Sequence, residues 1–163
     1  MNMVEEMVQL SDDELLRYAR QILLDGWDMD AQLRLKSARV VIIGAGGLGC
    51  PASETLVRAG VGYVHLLDDD AIEASNLQRQ TLFLPEDIGQ SKALTAAAML
   101  ARINPLIKAY GTVARLDEDN AYELLKLASG KPDLLLDCTD NFPTRDVINR
   151  ISVHYLIPLL SAS

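Results

Sequence analysis

Val40, Val41, Ile42 and Ile43 form an unbroken β-branched run that passes straight into Gly44-Ala45-Gly46-Gly47-Leu48-Gly49. A short continuous apolar run suits a strand buried on both faces, the environment of a parallel sheet whose crossover helices cover both sides. The glycines impose a tight turn, and the residues that follow, to about position 59, read as a helix. A two-sided strand, a glycine turn and a helix in direct succession point to an α/β architecture.

The alternation continues along the chain. Residues 63–67 read as a second strand, and 89–104 as an Ala-rich helix stopped by Asn104-Pro105. Residues 107–113 read as a third strand, 120–128 as a crossover helix and 133–136 as a fourth strand. A helix over 143–155 and a fifth strand over 158–161 follow. Upstream, Ser11-Asp12-Asp13-Glu14 is a capping box that opens a helix to about Leu24. Gly26 ends it, and Asp28 caps a second short helix to Lys36. The expected fold is therefore a Rossmann-like, doubly wound α/β domain, with a mainly parallel sheet and an N-terminal helical segment over residues 11–36. No repeat or linker divides residues 1–163, so a single domain is expected. Its fifth strand would leave an unfinished edge two residues before Ser163, so the domain is expected to be incomplete at its C-terminus.

Composition narrows the function. The 49% hydrophobic and 5% aromatic content describe a largely aliphatic core, and the net charge of -8 argues against a general nucleic-acid surface. Any phosphate chemistry must rest on a few placed cations. Cys50 and Cys138 form no CxxC pair and read as small buried hydrophobes of a reducing compartment. Residues 1–10 are acidic and lack the pattern of a signal peptide. The longest uncharged run, 40–53, is too short and glycine-rich for a membrane span of about 20 apolar residues. A cytoplasmic protein with no membrane partner is expected.

The glycine loop fits G-x-G-x-x-G between strand and helix. Gly44 allows the tight turn, Gly46 lets the backbone approach a phosphate, and Gly49 lets helix and sheet pack closely. Gly47 lies in the same turn. This predicts a nucleotide site without selecting the nucleotide. Asp68, the first residue past the second strand, stands where an acid that binds ribose hydroxyls belongs. Asp69 reads as a polar strand end. To this point an NAD-dependent oxidoreductase fits equally well.

Ser75-Asn76-Leu77-Gln78-Arg79-Gln80 shifts the reading. A triphosphate needs cations near its outer phosphates, and Arg79 with an amide cluster suits that need. Lys92, in the first turn of its helix, opposes the helix dipole and so calls for a reason to be there. Beyond the fourth strand, Asp137-Cys138-Thr139-Asp140-Asn141 falls near the expected point of strand-order reversal. Asp140 projects further and is the candidate Mg²⁺ ligand, while Asp137 is expected to brace the loop. His65 and His154 read as structural.

These segments, together with Arg17-Tyr18-Ala19-Arg20-Gln21-Ile22-Leu23-Leu24, resemble the ubiquitin-activating (E1-like) superfamily. Within it the match is to the bacterial MoeB/ThiF/HesA branch, and it leans to the molybdopterin-synthase adenylyltransferase type. The resemblance implies that the C-terminal glycine carboxylate of a ubiquitin-like sulfur-carrier protein attacks the α-phosphate of MgATP, releasing pyrophosphate. On matching positions, Asp68 would bind ribose, Asn76, Arg79 and Lys92 would contact the phosphates, and Asp140 would hold Mg²⁺. Arg20 would reach the ATP of a neighbouring subunit, which implies a homodimer. The attacking carboxylate is already ionised, so no general base is required. Relatives of this branch also carry a zinc site and, in some, a catalytic cysteine, with ligands beyond Ser163. The thiamine-pathway carrier is the alternative substrate. A non-catalytic nucleotide-binding or dimerisation fragment is the alternative of another kind.

Overall fold

A computed structural model describes residues 9–162. Two helices come first, α1 (Asp12–Ile22) and α2 (Met29–Ser37). Then follow β1 (Arg39–Ile43), α3 (Gly49–Ala59), β2 (Tyr63–Leu67), α4 (Lys92–Ile103) and β3 (Lys108–Thr112). The remainder comprises α5 (Ala121–Leu124), β4 (Leu134–Asp137), α6 (Phe142–Tyr155) and β5 (Leu159–Ser161). The five strands form one parallel sheet in the order β3-β2-β1-β4-β5. This is the doubly wound, Rossmann-like arrangement expected from the alternation. The signal-peptide reading of residues 1–10 falls mostly outside the described residues.

The β-branched run lies at the centre of the sheet because it can bury both faces. Val40 and Ile42 pack with Val57, Leu66 and Leu100, while Val41 and Ile43 pack with Leu125, Leu135 and Ile148. The register aligns Ile43 with Leu67 on one side and with Asp137 on the other. Three strands therefore end level, and the loops that leave them emerge side by side.

The N-terminal hairpin closes the opposite end. Gln21 and Gln32 donate to the carbonyl of Ala59 at the tail of α3, and Arg17 donates to that of Ile103 at the tail of α4 at 2.7 Å. Cationic or amide donors suit helix C-termini, whose last carbonyls lack partners within the helix. Asn104 ties the same region together, donating to the Tyr18 hydroxyl and the Val57 carbonyl.

Several boundaries differ from expectation, each for a local reason. The helix expected over 120–128 is one turn, Ala121–Leu124, followed by a 3-10 turn at Leu127–Ser129. Lys126 takes a left-handed φ of 53° and breaks the helix, while Leu125 still fills the core. α4 starts at Lys92 instead of 89 because Ser91 caps it and also bridges to Ala71. α1 stops at Ile22, two residues early, and α6 begins at Phe142 because Asn141 caps it, accepting from the Thr144 N–H at 3.0 Å.

Candidate active site

The level strand ends open into a cavity of about 900 Å³. Its walls are the loops that follow β1, β2, β3 and β4, together with the first turns of α4 and α6. This is the crevice where ligands of open α/β sheets bind, beside the reversal of strand order between β1 and β4.

The glycine loop is pinned from both sides. Gly44 N–H donates to the Leu67 carbonyl at 2.8 Å, and Cys138 N–H donates to the Ile43 carbonyl at 2.9 Å. Gly44 has φ +95°, and a Cβ there would lie 2.9 Å from the Cys138 oxygen. Leu48, the cap residue of α3, makes no side-chain cap, and the first turn of that helix carries no acid. Its positive end is thus left for an exogenous anion. Gly44, Gly46 and Gly47 line the cavity; Gly49 lies behind them, in the contact between helix and loop.

Asp68 faces the same space but is not idle. Its Oδ2 accepts the Ala45 N–H at 2.7 Å and its Oδ1 accepts the Asp70 N–H at 2.8 Å. Burial pushes its pKa up, against the opposing pull of those two N–H groups and of Lys92. Asn76 is buried and accepts from the Glu73 N–H, shaping the 3-10 turn Ala74–Asn76. Arg79 is exposed, donates to the Ser75 carbonyl, and lays its stem across Gly47, where a Cβ would meet Arg79 Cδ at 3.2 Å. Lys92 is buried, with Nζ 2.8 Å from Asp70 Oδ2.

Beyond β4, Asp137 is 1% exposed and accepts from Thr139 N–H, Thr139 Oγ1 and Ser161 Oγ. It braces the loop, as expected. Asp140 is exposed on that loop and lines the cavity. Mg²⁺ usually keeps several waters and takes one or two carboxylates plus substrate phosphates. A single open carboxylate beside the glycine loop fits that pattern. Among the described residues, the three acids close enough to share a cation are Asp68, Asp69 and Asp70. Each already has a partner, since Asp69 pairs with Arg115 at 3.4 Å and Asp70 with Lys92.

Arg20 stands apart. It is exposed on α1 and does not line the cavity, so no contact among the described residues brings it to the other candidates. His65 is buried against the Thr112 hydroxyl, and His154 is exposed near the end of α6; neither reaches the cavity. Cys50 is fully buried and Cys138 partly so. Burial pushes both thiols up to about 11, which leaves them protonated and poor nucleophiles.

Among the cavity residues that pattern did not single out individually, three stand out. Arg145, in the first turn of α6, donates to the Thr139 and Ala162 carbonyls, with Nε 3.8 Å from Asp137 Oδ2. Gln80 is 3% exposed beside Gly46, and its Oε1 has no donor among the described residues. Asp70 is the third. The available signals were only a cation four residues past a helix cap, an amide ending a polar run, and the last of three acids.

Residues 18–163 match the model of the ThiF family. The chain belongs to the ThiF family. It is 47% identical over 157 residues to the molybdopterin-synthase adenylyltransferase of Salmonella typhimurium, covering 96% of this chain. It is 45% identical over 154 residues to the sulfur carrier protein ThiS adenylyltransferase of Escherichia coli, covering 94% of this chain. The chain spans 61% of the first relative's length and 60% of the second's. Among solved structures, it is similar to the E. coli tRNA N6-threonylcarbamoyladenosine dehydratase in complex with ATP. That likeness has a TM-score of 0.82 at 26% identity and covers 94% of this chain and 61% of that one.

Proposed function

We propose that this ThiF-family protein uses MgATP to adenylate the C-terminal glycine carboxylate of a ubiquitin-like sulfur-carrier protein. The observation that carries this reading is the presence of Arg79 and Lys92 in the cavity that also holds the glycine loop, Asp68 and Asp140. A dinucleotide would leave those cations without a task, whereas a triphosphate needs them. The adenylyltransferase names of the relatives support the same class of reaction.

In this reading Asp68 accepts hydrogen bonds from the ribose hydroxyls, and the glycine loop with the head of α3 receives phosphate oxygens. Asn76, Arg79 and Lys92 hold the outer phosphates. A carboxylate oxygen of the carrier forms a bond to the α-phosphorus, and the bond to pyrophosphate breaks. The attacking group and the phosphate repel each other, so catalysis consists of neutralising charge and holding the two in line. Mg²⁺, held by Asp140, would supply further neutralisation of phosphate charge.

We further infer a homodimer in which Arg20 serves the neighbour's site. Leu16, four residues before Arg20 on α1, is 81% exposed, and Leu23 and Leu24, just past the end of that helix, are 84% and 60% exposed. Exposed leucines flanking a cation suit burial against a second copy. We assign the protein to the cytoplasm, which agrees with its two free cysteines. No helix among the described residues is long and apolar enough to cross a membrane.

The test is ATP–pyrophosphate exchange in the presence of Mg²⁺ and a purified carrier. Exchange that depends on the carrier's terminal carboxylate is expected. The two relatives differ little in identity, so running molybdopterin-type and thiamine-type carriers in parallel assigns the pathway. Absence of exchange with every carrier, in protein shown to bind ATP, would sink the proposal.

A further inference from the structure

Lys92 occupies an awkward place. It is the first residue of α4, where the helix dipole disfavours a cation, and it is only 8% exposed. A buried ammonium needs a close partner. Asp70 provides one twice over: its carboxylate lies 2.8 Å from Lys92 Nζ, and its carbonyl accepts the Lys92 N–H at 3.1 Å. The same residue's N–H donates to Asp68 Oδ1, and Asp68 Oδ2 in turn accepts from Ala45 in the glycine loop. A hydrogen-bonded line thus runs from the glycine loop through Asp68 and Asp70 to Lys92. The Ala71–Ser91 bridge and the 2.8 Å bond from Ile72 N–H to the Gln90 carbonyl lock the two segments that carry it.

Resting on the nucleotide reading above, we propose that Asp70 is a positioning residue that presents Lys92 to the outer phosphates and couples it to the ribose-binding Asp68. Its side chain is 64% exposed, so the pair adds little to folding stability in water. Its effect is on direction. The ammonium cannot retract into solvent while both its head and its own backbone N–H are tied to Asp70. A competing role, in which Asp70 merely sequesters Lys92 and must be displaced by phosphate, predicts the opposite change on substitution.

Calorimetric titration of wild type, Asp70→Asn and Asp70→Glu with MgATP and with AMP separates these cases. Asp70→Asn is expected to weaken ATP binding by about tenfold, the scale of one charge-assisted contact, with AMP binding unchanged. Asp70→Glu is expected to restore most of the ATP affinity. Unchanged or tighter ATP binding by Asp70→Asn would overturn the assignment. Equal loss of ATP and AMP would also overturn it, because a general disturbance of the loop makes no distinction between them. Wild-type protein that binds neither nucleotide would instead refute the adenylation reading, and this assignment with it.

Discussion

The carbonyl oxygen of Gly44 stands 1.9 Å from the point where a Cβ on Gly49 would sit. The two ends of the loop are in backbone contact, and neither can yield without moving β1 or α3. Gly49→Ala is therefore expected to destabilise the protein by about 2 kcal/mol or more, since the clash is with backbone and not with a pliable side chain. Urea unfolding measures this. A stability equal to wild type would contradict the close approach.

Asp137 and Asp140 sit three residues apart and should respond in opposite ways. Asp140→Asn is exposed and should change stability by less than about 0.5 kcal/mol while cutting carrier-dependent pyrophosphate exchange by about a hundredfold. Asp137→Asn leaves buried donors mismatched and should cost about 2–4 kcal/mol of stability. Thermal melts and exchange assays on the two variants decide it; the reverse pattern would reassign the acids.

A composite site can be tested by mixing. Arg20→Ala and Arg79→Ala homodimers should each be inactive, because every site lacks one cation. Hetero-association re-creates one complete site per mixed dimer, so re-equilibrated equal mixtures should regain about a quarter of wild-type exchange activity. No regain, with subunit exchange verified by mass spectrometry, would mean that Arg20 does not serve a neighbour's site.

His65 makes folding sensitive to acid. Burial, then the charges of Lys126 and Arg39, press its pKa from about 6.5 down to about 4, so the folded state holds it neutral. A base with a depressed folded pKa gives full stability above its unfolded pKa and loses it as pH falls from about 6.5 towards 4. At about pH 5.5 the loss from this one group is about 1 kcal/mol relative to about pH 7. His65→Gln, which can still bond the Thr112 hydroxyl, should show a smaller drop in Tm across that interval. An identical drop would exonerate His65.

The central part of the fold is legible in sequence because its determinants are local. A strand covered on both faces must be apolar at every position, so Val40–Ile43 declares itself, and the glycine spacing follows from one turn. Asp68 is legible for the same reason, as the first polar residue where β2 runs out. Residues 120–128 misled because Leu124, Leu125 and Ala128 imitate a helical stripe, whereas the left-handed turn at Lys126 depends on how Leu125 docks under the sheet. Asp70 and Arg145 were invisible because their partners are remote or elsewhere in the fold. Asp70 meets a lysine 22 residues away, and Arg145 meets a carbonyl 17 residues away on β5's trailing end. Arg20 remains a separate case, since nothing among the described residues brings it to the cavity.

The docking of the N-terminal hairpin has one consequence beyond stability. α3 and α4 each have a head at the cavity, one bearing the glycine loop and the other Lys92, and each has its tail carbonyl held by α1. They behave as two parallel rods clamped at one end by a common bar. The width of the cavity between those two heads is then gauged from the far side of the molecule as well as from the sheet. The bar that sets it carries Leu16, and leads into Leu23, the two most exposed leucines among the described residues.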